Sequence, residues 1–160
     1  MNIKKAEEKY LSSNKGFSMV ELIIVIAIIA IISGALAPAL IKYINKSRIS
    51  SDVDTGAAFA RAIMAAVTND AAYDDAEEHS TPFPLNDMDK QDFKDEVFKT
   101  FGREDIYGKA KKDALGDPIP ASNRQFYYTL DAERNLVQVY YGGTTADYMV
   151  YPNIGQRLTN

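Results

Sequence analysis

The chain begins with a polar stretch, residues 1–16, and then turns apolar. From Leu22 to Ile41 twenty successive residues carry no charge, and most are Ile, Leu, Val or Ala. At a helical rise of roughly 1.5 Å per residue that run is about 30 Å long, enough to cross the hydrocarbon core of a bilayer. After Pro38 the pattern changes without stopping. Ile41, Ile44, Ile49, Val53, Ala57, Ala60, Ile63 or Met64, and Val67 recur at helical spacing, with Lys42, Lys46, Arg48, Asp52, Asp54 and Arg61 between them. This is an amphipathic period. The two halves predict one helix over about 17–68, on the order of 75–80 Å long. A head of this size has no room to bury the first half, which must find lipid or other copies of itself.

Downstream the signals are shorter. Residues 70–86, acidic and punctuated by Pro82 and Pro84, read as a loop. Met88 to Phe101 predicts a second helix, with Phe93, Val97, Phe98 and Phe101 on one side, Asn86 or Asp87 as its cap and Gly102 as its end. The last third changes to strand chemistry. Gln125–Asp131 and Asn135–Tyr141 predict a hairpin, and Asp147–Tyr151 a third strand ending at Pro152. The expected fold class is α+β, with the amphipathic half of the long helix packed on one face of a small C-terminal antiparallel sheet.

One residue in the apolar region is out of place. Glu21 sits at its leading edge, and a carboxylate there costs a few kcal/mol unless something neutralises it. Cleavage after Gly16 would make Phe17 a free amine four residues before Glu21, within reach along one helix face or across to a neighbouring subunit. Lys15-Gly16-Phe17-Ser18-Met19-Val20-Glu21 followed by an apolar run resembles the N-terminal motif of type IV pilins and pseudopilins. The resemblance is dense from Gly16 to about Pro38. It implies cleavage between Gly16 and Phe17 by a prepilin peptidase, N-methylation of Phe17, and a role for Glu21 and Phe17 in docking into a filament. It also implies that Gly34 and Pro38 mark a helix break, which curves and loosens this segment within the fibre; a kink without a mechanical role is the plainer reading.

On that resemblance the chain divides into a leader (1–16), a transmembrane and assembly helix (17–41) and a globular head (42–160). The expected function is that of a structural, non-enzymatic subunit of a type IV pilus. The precursor would lie in the cytoplasmic membrane with its leader inside, and the mature protein in an extracellular helical filament. The implied partners are further copies of the chain, the peptidase, an assembly ATPase with its platform membrane protein, and minor pilins. Two alternatives stay open: a pseudopilin of a type II secretion or competence DNA-uptake system, and a membrane-anchored adhesin that never polymerises. An ordinary secretory signal, with Ala35 and Ala37 mimicking its cleavage site, is a further possibility. It fits less well, because its apolar core would be about 7–15 residues and its cleavage site would follow that core.

Charge agrees with this topology. The chain has 18 basic and 22 acidic residues. Lys4, Lys5, Lys9 and Lys15 with Glu7 and Glu8 lie before Gly16, so the mature chain is left with 14 basic against 20 acidic residues. A lysine-rich leader before an acidic body follows the positive-inside rule, and an acidic body argues against a nucleic-acid surface. The chain has no cysteine. Many pilins close the C-terminal region with a disulfide, so here the end is expected to be held by packing alone.

Candidate chemistry is sparse. His79 is the sole histidine, so a nucleophile triad would have to draw on the acidic, proline-rich loop, and a zinc site lacks ligands. No glycine-rich phosphate loop is present, so the energy of assembly is assigned to the partner ATPase. Asp74, Asp75, Glu77 and Glu78 could gather calcium but lack the spacing of a dedicated loop. Asp113-Ala-Leu-Gly116-Asp117-Pro118 resembles the calcium loop of major pseudopilins, with Leu115 in place of its aromatic residue. Asp113 and Asp117 are therefore weak calcium candidates, and a Gly-Pro turn is the plainer reading. No other cofactor is expected.

Overall fold

In the computed structural model, residues 16–74, 76, 78–88, 91–102 and 106–159 are described. The leader expected over 1–16 lies outside them except for Gly16, as do Asp75 and Glu77. The chain divides into two units, Met1–Ile41 and Lys42–Asn160.

Helix α1 runs from Met19 to Val67 and carries Pro38 inside it. Apart from Glu21 and Ser33, its part in the first unit is apolar and exposed, from Met19 through Ile41. By length and composition it is suited to cross a membrane. The helix assignment passes through Gly34 and Pro38, so neither ends it. Gly34 lies four residues before Pro38, and its carbonyl therefore faces a nitrogen with no hydrogen to give.

The second unit is the head. Here α1 buries Ile49, Asp52, Gly56, Phe59, Ala60, Ala62, Ile63, Ala66 and Val67. This stripe is rotated from the expected one, since Val53 and Ala57 are only partly buried. Asp52 and Gly56 take the centre of the face instead. The apolar pattern skipped both, because one is charged and the other has no side chain. Gly56 lets the sheet come close: a Cβ there would lie 2.3 Å from Val150 Cγ2 and 3.3 Å from Phe126.

A short helix, α2 (Asp70–Tyr73), follows, and then the main correction to the sequence reading. Residues 79–84, expected within a loop, form strand β1 (His79–Pro84). It pairs antiparallel with β2 (Phe126–Asp131) and has an irregular register between His79 and Phe83. Prolines 82 and 84 are compatible with this because β1 is an edge strand and pairs on one side only. The predicted second helix is α3 (Gln91–Phe101), closed by Gly102 at φ +76°. A 3₁₀ turn, Leu85–Asp87, precedes it, and Asn86 gives its side-chain amide to Gln125 at 3.1 Å.

Strands β2 and β3 (Leu136–Tyr141) make the expected hairpin, in register from Phe126↔Tyr141 to Asp131↔Leu136. Strand β4 (Met149–Tyr151) is shorter than expected, because Ala146–Tyr148 form a 3₁₀ turn first. The sheet order is β1-β2-β3-β4, antiparallel throughout. One face presents Phe126, Tyr128, Leu130, Val137, Val139 and Tyr141 to the core. Phe59 stacks on Phe101 with ring centroids 3.7 Å apart, and Phe126 sits between Phe59 and Tyr141 at 5.7 and 5.1 Å. The architecture is the α+β one: a long N-terminal helix packing with a small four-stranded sheet.

Candidate processing and assembly site

The site begins where α1 begins. Gly16, Phe17 and Ser18 are outside the helix, and Phe17 is 90% exposed. Ser18 is the N-cap. Its hydroxyl accepts the Val20 N–H at 3.2 Å, and its carbonyl accepts the Leu22 N–H at 3.1 Å. Glu21 reaches back, and its Oε2 accepts the Ser18 N–H at 2.8 Å. Ser18 and Glu21 thus form a capping box, in which serine and glutamate three apart meet two of the donors that a helix start leaves unpaired. The pattern Ser-x-x-Glu just before an apolar run is its sequence signal. The reading of Glu21 as a partner for an amine had passed over it.

The capping box fixes where the helix begins, two residues beyond the Gly16–Phe17 bond. It leaves that bond exposed and the Glu21 carboxylate pointed back towards it. The helix dipole favours a negative group at this end. At Gly16 the fold itself makes no demand for glycine: φ is not in the left-handed region, and a Cβ would meet nothing within 4 Å.

Residues 11–37 match the prokaryotic N-terminal methylation motif. This is the prepilin signature of type IV pilins and pseudopilins, and with the apolar helix it supports a type IV pilin-like or pseudopilin precursor and fits anchoring in a membrane. Such a motif suggests a structural protein and not an enzyme, and implies peptidase processing and filament assembly in general terms. The match stops at Ala37, short of the head. No curated protein and no solved structure matches the chain.

The other sequence candidates lie elsewhere. Gly34 and Pro38 are exposed within α1. Asp74 and Glu78 flank residues outside the described set, and among the described residues no three His, Cys, Asp or Glu side chains gather as a metal site. His79 stacks on Phe83 at 4.2 Å and meets Tyr128 edge-on at 5.3 Å, a packing role. Asp113 is buried and Asp117 largely exposed, and both are bonded to Arg157, a residue the sequence reading had not singled out.

A second carboxylate also escaped notice. Asp52 is 2% exposed and accepts the Lys109 N–H at 2.8 and 2.9 Å and the Ala110 N–H at 2.7 Å. Tyr141 Oη donates to the Ala110 carbonyl at 2.7 Å, so the same loop residue is held from helix and sheet. Burial pushes the Asp52 carboxyl above its ordinary value, and the two backbone donors and the Lys109 charge partly oppose it. Burial and the nearby Asp52 charge likewise push the Tyr141 phenol well up, so it stays a donor at neutral pH.

Proposed function

We propose that the chain is the precursor of a structural type IV pilus subunit, cut between Gly16 and Phe17, methylated on Phe17 and polymerised into a helical surface filament. The supporting observation is one continuous stretch: the methylation motif at 11–37 runs into an exposed apolar helix that bears a single carboxylate at its capped start. Gly16 adds weight, since what calls for a glycine there lies outside the fold. A peptidase that reads an exposed, uncrowded bond would supply that demand.

In this reading Glu21 changes partners. In the uncut chain it is committed to the Ser18 N–H, and after cleavage the new Phe17 amine, on the same turn or on a neighbour, offers it a full positive charge. Assembly moves the apolar helices from lipid into contact with one another. Lipid is as apolar as leucine, so that step gains little hydrophobic energy, and packing with the carboxylate–amine pair must direct it. Energy would come from an assembly ATPase acting through its platform membrane protein, with minor pilins as further partners.

The test is to isolate surface filaments and read the N-terminus of their dominant polypeptide by mass spectrometry. A chain beginning at methylated Phe17 supports the proposal. Short fibres confined to the envelope would favour the pseudopilin role. A membrane-held monomer still carrying residues 1–16, with no filament labelled by an antibody against the head, would overturn it.

A further inference from the structure

The loop at 113–117 and the C-terminal segment are joined through one nitrogen. The Asp113 side chain is 0% exposed; its Oδ1 accepts the Asp117 N–H at 2.9 Å and its Oδ2 accepts Arg157 Nη1 at 2.8 Å. The same Nη1 donates to Asp117 Oδ2. A single cationic nitrogen therefore bridges two carboxylates. Backbone bonds lie on both sides of it: Ala114 N–H to the Arg157 carbonyl at 2.7 Å, and Arg157 N–H to the Asp147 carbonyl at 2.9 Å. The next residue, Leu158, is buried in the core.

We propose that Arg157 is a built-in cation, which closes the C-terminal segment onto the 113–117 loop and holds that loop in shape without a bound divalent ion. A buried carboxylate needs a counter-charge and filled acceptor sites, and Asp113 has both from within the chain. Calcium takes six to eight oxygen ligands, whereas the two carboxylates at this loop are already bridged by Arg157, and among the described residues no three His, Cys, Asp or Glu side chains gather. An entering ion would have to displace a guanidinium that is tethered by backbone bonds on either side and so is always at hand. The hydrogen bonds to Asp113 and Asp117 hold the Arg157 proton still more firmly than usual. None of this depends on whether the chain polymerises.

The experiment uses the full chain in detergent micelles, followed by thermal melting and amide hydrogen exchange in either calcium chloride or EDTA. Melting, and exchange at Ala114 and Asp117, should be the same in both. Arg157→Met, which keeps much of the aliphatic stem and removes the charge, should speed exchange at those two amides by about tenfold or more and leave the β2–β3 amides unchanged. Should that variant not fold, Asp117→Asn gives the reading, because its side chain is 64% exposed and its loss is tolerable. Faster exchange at Ala114 supports the proposal. A wild-type chain that melts higher in calcium overturns it, as does unchanged exchange in the variant that folds.

Discussion

Asp52 accepts the backbone N–H of Ala110, fifty-eight positions away, at 2.7 Å. A carboxylate on the buried face of a helix thereby fixes a loop that has little regular structure of its own. Asp52→Asn would turn a side-chain N–H₂ towards backbone N–H groups, losing acceptors where three bonds are made. We expect a loss of about 1–3 kcal/mol in the unfolding free energy of the head at neutral pH, measured by denaturant titration of the full chain in micelles.

The same residue gives a pH dependence with a definite sign. Its folded pKa is raised above the unfolded value of 3.8, chiefly by burial. The folded chain therefore holds this proton more tightly. The stability it confers is full below the unfolded value and lost as pH rises through the folded one. As pH rises above about 4, wild type should lose stability relative to Asp52→Asn. A difference that grows in the opposite direction would count against burial as the dominant influence.

Gly56 is the point at which helix and sheet come closest. Alanine is the better helix former by about 1 kcal/mol, yet Gly56→Ala should destabilise the head by about 1–3 kcal/mol, because its Cβ would overlap Val150. Rotating Val150 does not clear the space, since its Cβ is also only 3.2 Å away. In the double variant with Val150→Ala the two costs should sum to less than their separate values, and a double-mutant cycle measures the difference.

At the N-terminus three variants separate capping from charge. Ser18→Ala removes the cap and should fray the first turn, at a cost of about 1 kcal/mol in helix stability, with filament yield largely kept. Glu21→Gln retains an acceptor for the Ser18 N–H but no charge for an amine. Glu21→Ala has neither. If charge is what directs docking, both Glu21 variants should give processed, membrane-held monomers that enter filaments poorly, as scored by shearing and immunoblotting. Normal yield from Glu21→Gln would move the role to the capping box.

Gly16→Ala should slow removal of residues 1–16, so that precursor accumulates and intact mass reports it. The fold is indifferent to a Cβ at this position, so a slower cut would trace to recognition by the peptidase and not to misfolding.

Much of this was legible in the chain. The long helix, the hairpin and the glycine that ends α3 follow from periodicity and turn chemistry, which are local signals. Strand β1 was not legible, because its prolines signal a loop, and only pairing with β2 on one open side makes it a strand. The rotation of the buried stripe was hidden for a similar reason: Asp52 and Gly56 owe their burial to partners at 109–110 and 150, more than fifty residues away. Arg157 was missed as well. A lone arginine near a chain end carries no pattern, and the expectation that packing alone holds the C-terminal segment gives way to packing joined by an ion pair.

The proline in α1 has one more effect. The Gly34 carbonyl points at Pro38, which has no hydrogen to return, and in hydrocarbon no water stands by to take its place. That oxygen, next to the exposed Ser33, gives an otherwise apolar surface a polar mark. A hydroxyl from an adjacent helix, or a water carried in with it, would find a foothold there.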